Sequence, residues 1–461
     1  MKPPFDIAAD LDTPVSAFLK LKPLGARFLL ESVERGEQVA RFSFLGLGSV
    51  LDLHFNSQGL TMNGLKRPRL SGRAEVLAAL REELRAAPQL TPQVDEVPFQ
   101  GGLVGYADFD LIHELEQFPN STTVANYHPQ AAYMAPRSLL VFDHLTRRVA
   151  LLHAGPETER LSLQREVSAA LRGSVPTSRG RNACSTAGTS LSRKEYMQLV
   201  NEAKAKIRDG DIFQVVLANR FSGECDLDPF TAYRALRLIN PSPYMYFIEI
   251  GERTIAGSSP EAMVKLQDGV AALRPIAGTR PRGRNPEEDL VLEQGLLKDP
   301  KEIAEHVMLV DLARNDLGRV AATCSIRVDP YLSIERYSHV MHIVSGVSGR
   351  PQPGKDAFDL FAAAFPAGTL VGAPKIRAIE LINGFEPVRR GLYGGTVGYF
   401  DHYGNMDQAI AIRTIIFENG AYSYHAGAGI VADSDPATEH NEVLAKSAVM
   451  RQALTLSTEG F

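Results

Sequence analysis

Residues 173–192 read GSVPTSRGRNACSTAGTSLS, a run rich in Ser, Thr, Gly and Arg and nearly free of large apolar side chains. Such a composition cannot seed a core, and it reads as a linker or exposed loop over 173–192. It divides the chain into an N-terminal half, 1–172, and a C-terminal half, 193–461. Before it lie short strand-like runs at 27–32, 48–54 and 138–142, with a charged helix over 74–86. After it, helical patterns over 193–209, 229–239, 300–312, 356–365 and 438–456 alternate with strand and hairpin signals. This mixture predicts an α+β or layered α/β architecture with sizeable sheets. One short pattern, GGxVGY, occurs in both halves, at 101–106 and 394–399. Six residues are weak evidence of a true repeat.

At 461 residues the chain has room for two or three domain-sized units or for one elaborate domain. Its 44% hydrophobic and 22% charged residues are ordinary for a globular protein. A net charge of −5 gives no electrostatic case for nucleic acid or an anionic membrane as partner. Cys184, Cys225 and Cys324 are widely spaced and odd in number, which suggests neither a disulfide framework nor a zinc motif. No signal peptide and no bilayer-length apolar run is visible, so the expected home is the reducing cytoplasm.

Chemistry concentrates in two helical stretches that open alike. Asp299-Pro-Lys-Glu-Ile-Ala-Glu begins with an N-cap and a proline at the first helical position, and offers Glu302 and Glu305 three residues apart. Ile303, Val307 and Val310 mark its buried face. Asp435-Pro-Ala-Thr-Glu-His-Asn-Glu repeats the arrangement with Glu439 and Glu442, and Lys446 follows one turn later. Four carboxylates without Cys or His suit a hard cation such as Mg²⁺. The plainer reading has Glu302 closing a capping box on Asp299 and Lys446 serving as a salt-bridge partner. Both stay open at this level.

Gly427-Ala-Gly-Ile-Val-Ala432 fits G-x-G-x-x-A, but a turn follows it instead of a helix, so its glycines suit close backbone approach to a carboxylate better than a dinucleotide. His339 and His342 would face opposite sides of a strand; either is a candidate for proton transfer or a structural residue. Pro366–Arg377 reads as a glycine-punctuated loop entering a helix near Pro374, with Thr369, Lys375 and Arg377 able to face an anion. Arg413, within an apolar strand-like run, calls for a carboxylate partner.

The ordered set of motifs resembles the anthranilate synthase component I family of chorismate-utilising enzymes over nearly the whole chain. The N-terminal half contributes Asp12-Thr-Pro-Val-Ser16, Phe28-Leu-Leu-Glu-Ser32 and Pro98-Phe-Gln-Gly-Gly-Leu-Val-Gly-Tyr106. The C-terminal half contributes Asp211-Ile-Phe-Gln-Val-Val-Leu217, Asn240-Pro-Ser-Pro-Tyr-Met245, Ser258-Ser-Pro-Glu261 and Arg274-Pro-Ile-Ala-Gly-Thr-Arg280, then Phe365-Pro-Ala-Gly-Thr369, Tyr393-Gly-Gly-Thr396 and Gly427-Ala-Gly429. The resemblance implies a layered α/β sandwich with large, mostly antiparallel sheets flanked by helices. It implies a catalytic C-terminal half and a regulatory or structural N-terminal half. Relatives that add water carry a lysine base where this chain has Gln214, and aminodeoxychorismate synthases typically carry a nucleophilic lysine where it has Ala277. Val371 departs from the small polar residue usual in the family.

The activity implied is conversion of chorismate and ammonia to anthranilate and pyruvate, the first committed step of tryptophan biosynthesis. By the same resemblance Glu302, Glu305, Glu439 and Glu442 would hold Mg²⁺. Tyr393, Arg413, Gly427, Ala428, Gly429 and Lys446 would hold the substrate carboxylates, and Ala277, Gly278, Thr279 and Thr369 would line the ring and ammonia side. Glu261 would be the general acid, and His342 would assist proton removal. The chain lacks a glycine-rich elbow carrying a cysteine nucleophile, so a separate glutamine amidotransferase subunit is the expected ammonia source. Glu31, Ser32, Pro243, Tyr244 and Met245 would form an inhibitor site for L-tryptophan. The alternatives are aminodeoxychorismate synthase component I and a non-catalytic homologue that binds aromatic ligands.

Overall fold

Strands with apolar residues on both faces stack into two sheets, in a computed structural model that describes residues 4–32, 41–56, 59–68, 70, 72–118, 130–176, 183–336 and 340–460. Among the described residues one sheet has 13 strands, the other 11, and a small third sheet has 3. The pairing is antiparallel throughout, as in Ala26–Glu31 against Tyr244–Ile250 and Gly102–Ala107 against Thr396–Asp401. Those two pairings join the sequence halves, so both large sheets draw strands from either side of 173–192. The second pairs the two GGxVGY stretches, with Gly105 opposite Gly398 and Tyr106 opposite Val397.

Alternation along each strand assigns the two faces. Phe28, Tyr246, Ile248 and Val141 of the large sheet meet Val104, Tyr106, Met134 and Tyr399 of the other in one inner core. Their neighbours Leu29, Phe247 and Leu140, or Leu103 and Phe400, point outward under helices. Phe247, for example, packs edge-on against Phe18 and Phe230. The layers therefore run helices, sheet, sheet, helices. Each fully buried aromatic or aliphatic side chain contributes roughly 1.5–3 kcal/mol to this arrangement. Among the described residues no helix is long and apolar enough to cross a membrane.

The helices follow the sequence signals with shifted ends: Gly72–Ala86, Arg193–Arg208, Pro229–Ile239, Pro300–Gly318, Ala357–Ala364 and Pro436–Glu459. The Pro300–Gly318 helix outruns its expected end, and its buried face runs through His306, Leu309, Val310, Ala313 and Leu317, leaving Val307 only part-buried. Pro14–Leu21, Ile112–Leu115, Glu157–Leu171 and Pro286–Lys298 are helices without a legible pattern. Within 173–192, Ala183–Cys184 and Gly188–Thr189 are short edge strands on Gln214–Asp226, while 177–182 lie outside the described residues. This corrects the cysteine reading: Cys184 stands opposite Cys225 and is bonded to it. Sequence spacing carries no information about register between strands, which is what pairs them.

Candidate active site

Two helix starts supply the acids. Asp299 caps Pro300–Gly318, its Oδ1 accepting from the amides of Lys301 (3.0 Å) and Glu302 (3.4 Å). The capping box is absent. Glu302 accepts from Arg280 Nη1 at 3.0 Å, and Arg280 Nη2 reaches Asp299 Oδ2 at 2.8 Å. Asp435 caps Pro436–Glu459 through the amide of Thr438 at 2.9 Å. One turn on, Lys446 Nζ pairs with Glu442 Oε1 at 2.6 Å and donates to the Gly427 carbonyl at 3.2 Å.

The helices share one electrostatic field. Burial raises the Glu305 carboxyl above the usual range, and Glu302 and Glu442 push it further, opposed by Lys301 and Lys446. Burial also raises Glu439; a Ser434 hydrogen bond opposes this and Glu442 adds to it. Among the described residues no three His, Cys, Asp or Glu side chains are gathered into a closed metal cluster. Two of the four glutamates are instead tied to Arg280 and Lys446. Glu305 is repelled by Glu302 and Glu442, and Glu439 by Glu442; a hard divalent cation held by these oxygens would relieve what desolvation and repulsion impose.

Beside the acids lies a part-buried carboxyl of another kind. Glu261 accepts from the Thr369 hydroxyl at 3.2 Å, and burial pushes its pKa up to about 7 against the opposing effects of Thr369, Lys446 and Arg413. It is thus half protonated near neutral pH. Arg413 sits at the step between Met406–Ile410 in one sheet and Thr414–Glu418 in the other, with φ +49°. The strand-like run expected there is broken at Arg413, where the chain changes sheets. A non-glycine residue in that conformation stores strain of a kind found at functional sites. Its guanidinium lies 3.5 Å from Asn240 Oδ1 and makes no ion pair with any described carboxylate. Burial lowers its pKa, so a substrate carboxylate would restore what the protein leaves uncompensated.

His342, on Val340–Val344, holds Nδ1 3.0 Å from the Gly278 carbonyl and 3.1 Å from the Thr279 hydroxyl. The carbonyl only accepts, so Nδ1 carries the proton and the Nε2 lone pair is the basic one. Burial lowers the ring's pKa, opposed by the Gly278 hydrogen bond and Glu335 and assisted by Arg413, which favours the neutral ring. Gly278 adopts φ +69°, and a Cβ there would stand 3.2 Å from Glu302 Oε2, so Ala277–Gly278–Thr279 is pressed against the first acidic helix. On the other side a Cβ at Gly427 would meet the Tyr393 hydroxyl at 2.8 Å, and Tyr393 stacks on His425. Glu261, Thr369, Arg413, Lys446, Gly427 and Tyr393 thus form one connected wall, with His342, Gly278 and Glu302 linked beside it. Gln214 Nε2 approaches Gly429 from the neighbouring strand.

Other expected groups are otherwise engaged. Lys375 is bound to Asp316 at 2.8 Å, and Arg377 to Asp211 and Glu380, so both are committed to carboxylates of the protein itself. Val371 is fully buried. His339 lies outside the described residues. Arg280 and Asn240, which hold Glu302 and face Arg413, were missed as site residues; each stands at one end of a motif quoted above, but the partners that give them a role are distant in sequence.

A cavity of about 310 Å³ opens between the two sheets, lined among others by Glu31, Ser32, Pro243, Tyr244 and Met245. These come from Ala26–Glu31 and Tyr244–Ile250, the pair that joins the halves. The Glu31 carboxylate is already engaged: it accepts from the Tyr233 hydroxyl at 2.5 Å and lies 3.3 Å from Arg237 Nε. Asp407, which accepts from the Tyr244 hydroxyl at 3.1 Å, also lines the cavity, and no local pattern marks it.

Comparison with known proteins bears on this geometry. Residues 26–452 match the family described as chorismate binding enzyme. The chain belongs to that family. It is 43% identical to anthranilate synthase component 1 of Pseudomonas aeruginosa, over 99% of this chain and 95% of that one. It is 43% identical to the protein of that name from Thermus thermophilus, over 98% and 97%. Among solved structures, anthranilate synthase component I from Streptococcus pneumoniae superposes with a TM-score of 0.78 at 35% identity, covering 96% of this chain and 99% of that one. The menaquinone-specific isochorismate synthase from Escherichia coli, at TM-score 0.70 and 19% identity over 95% and 91%, shares the fold. The α+β sandwich expected from the sequence is the one observed.

Proposed function

We propose that this chorismate-binding enzyme converts chorismate and ammonia to anthranilate and pyruvate. The single observation that carries the reading is Glu261: a carboxyl with pKa near 7, hydrogen-bonded to Thr369 and flanked by Arg413 and Lys446. Arg413, Lys446, Tyr393 and the Gly427–Gly429 backbone hold the two substrate carboxylates. Glu302, Glu305, Glu439 and Glu442 are the residues that would hold Mg²⁺, which supplies positive charge to anchor the ring carboxylate. Ammonia attacks C2, the C1=C2 pair moves to C1=C6 and the C5=C6 pair to C4=C5, and the C4–O bond breaks so that the hydroxyl leaves as water with the Glu261 proton. His342 Nε2 then assists removal of the C2 proton while the C3–O bond breaks. The enolpyruvyl group departs, takes up a proton as pyruvate, and the ring becomes aromatic.

Ammonia as nucleophile is supported by Gln214 and Ala277, which offer neither a base for water nor a lysine for covalent attack. A glutamine amidotransferase subunit would deliver it, and "component 1" in the names of the relatives agrees with a partner. The cavity between the sheets is read as the site of L-tryptophan feedback inhibition, with apolar walls for an indole and charged groups at its edge. A cytoplasmic setting goes with this reading. Chromatography of purified chain with chorismate, Mg²⁺ and ammonium tests the reaction. Anthranilate with equimolar pyruvate is expected; a product that keeps its enolpyruvyl group would replace the reading with aminodeoxychorismate synthesis, and no product with or without an amidotransferase would end it.

A further inference from the structure

Arg390 and Glu386 are buried, their side chains only 1% and 4% exposed, in a region that none of the assigned chemistry uses. Arg390 Nε and Nη2 form a bidentate pair with Glu386, at 2.9 and 2.6 Å. The rest of the fork goes to backbone. Nη1 donates to the Leu370 carbonyl at 2.7 Å, and Nη2 to the Val216 carbonyl at 2.7 Å. Glu386 Oε1 in turn accepts from the Ala218 amide at 2.9 Å. The guanidinium also stands over the rings of Tyr393 (5.6 Å) and Phe109 (4.8 Å).

Each anchored point adjoins the proposed site. Leu370 follows Thr369, whose hydroxyl holds Glu261. Val216 and Ala218 lie opposite Gly429 and Gly427 in the sheet. The Tyr393 amide donates back to the Arg390 carbonyl at 3.2 Å. Three segments far apart in sequence therefore meet at one ion pair. A buried guanidinium is costly to desolvate, and a hydrophobic pair would fill the space at no less stability. Only a planar, five-donor group can bind two divergent carbonyls and a carboxylate together.

We propose that the Glu386–Arg390 pair is a positioning device for the substrate cradle, fixing Thr369, the Gly427–Gly429 backbone and Tyr393 relative to one another. The assignment rests on the reaction proposed above. Arg390→Lys keeps the charge but cannot serve both carbonyls. With chorismate, Mg²⁺ and ammonium, the full chain carrying it should stay folded and lose about 100-fold in kcat/KM, the scale of a misplacement near 1 Å. Because the Thr369 bond holds Glu261 down, loosening it moves the basic limb of kcat to higher pH, which a purely structural defect would not do. The double variant E386M/R390M removes both charges and should fold with the same loss. Either variant folded with kcat/KM within about threefold of the parent and an unmoved limb overturns the proposal, as does failure of both to fold. An inactive parent would refute the reaction instead; amide exchange at 369–371 and 427–430 then decides, faster in Arg390→Lys if the pair positions them and unchanged if it does not.

Discussion

The acid-lined cleft and the cavity between the sheets are built on opposite terms. In the cleft two of the acids are paired, Glu302 with Arg280 and Glu442 with Lys446, while the buried Arg413 has no ion pair among the described residues. A cation entering there competes with Arg280 and Lys446 for their carboxylates, and a carboxylate entering there supplies Arg413 with the partner it lacks. The cavity is a standing space of about 310 Å³ with Pro243, Phe44 and Tyr399 on its walls, and a ligand enters it mainly by displacing water from apolar surface. A charge deletion should therefore act on the cleft and a change of bulk on the cavity.

The largest effect belongs to Glu261. Glu261→Gln should cut turnover by about 10²–10⁴-fold, because an amide cannot donate the proton. It should also raise stability above neutral pH. A carboxyl raised in the fold contributes fully below its unfolded pKa and loses that contribution as pH rises through about 7. Chemical denaturation at pH 8 should show a gain on the order of 2 kcal/mol, reduced from the full shift because the side chain is part-exposed. Glu302→Gln or Glu442→Gln should lose about 100-fold in Mg²⁺-dependent turnover. Glu302 lies in the first turn of its helix and Glu442 in the second turn of its own, in an exposed pair with Lys446, so the melting temperature should barely move, at a cost under about 1 kcal/mol. Wild-type turnover in either variant, or activity that ignores a chelator, would remove the four-glutamate site.

His342→Ala should slow the second half-reaction by about 100-fold and let the amino intermediate accumulate, as chromatography of quenched reactions would reveal. Undiminished anthranilate formation would take His342 out of the mechanism. The smallest catalytic effect is expected at the cavity: Ser32→Leu should leave turnover within about twofold while removing inhibition by L-tryptophan. Met245→Thr should relieve inhibition too, but Met245 is fully buried and the change should cost about 1–3 kcal/mol in a denaturant titration. Turnover indifferent to millimolar tryptophan in the parent would detach the cavity from feedback and leave the cleft as it stands.

What could be seen beforehand was what is local. Asp299-Pro300 and Asp435-Pro436 announced their helices, since a cap and its proline are neighbours in sequence. The glutamate spacing followed from the helix alone. The Glu261 environment did not, because desolvation there comes from packing between sheets. Arg413 looked like a strand residue because its neighbours are apolar; a step between sheets has the same apolar flanks and differs only in φ. The roles of Arg280, Asn240 and the Glu386–Arg390 pair have no local signature, as each acts on residues remote in the chain. The cavity residues were visible only as two motifs from opposite halves; the pairing of Ala26–Glu31 with Tyr244–Ile250 is what makes them one wall. Glu31 illustrates the remaining gap, since Tyr233 and Arg237 already occupy a carboxylate that sequence offers to a ligand ammonium.

The pH dependence of kcat for chorismate turnover, with free ammonia saturating at every pH, tests the role of Glu261 most directly. A neutral carboxyl that gives up its proton in the rate-determining step predicts a plateau at low pH and a fall above about pH 7, absent from the residual activity of Glu261→Gln. A parent profile that stays flat or rises through pH 8, with Glu261→Gln retaining full turnover, would contradict it.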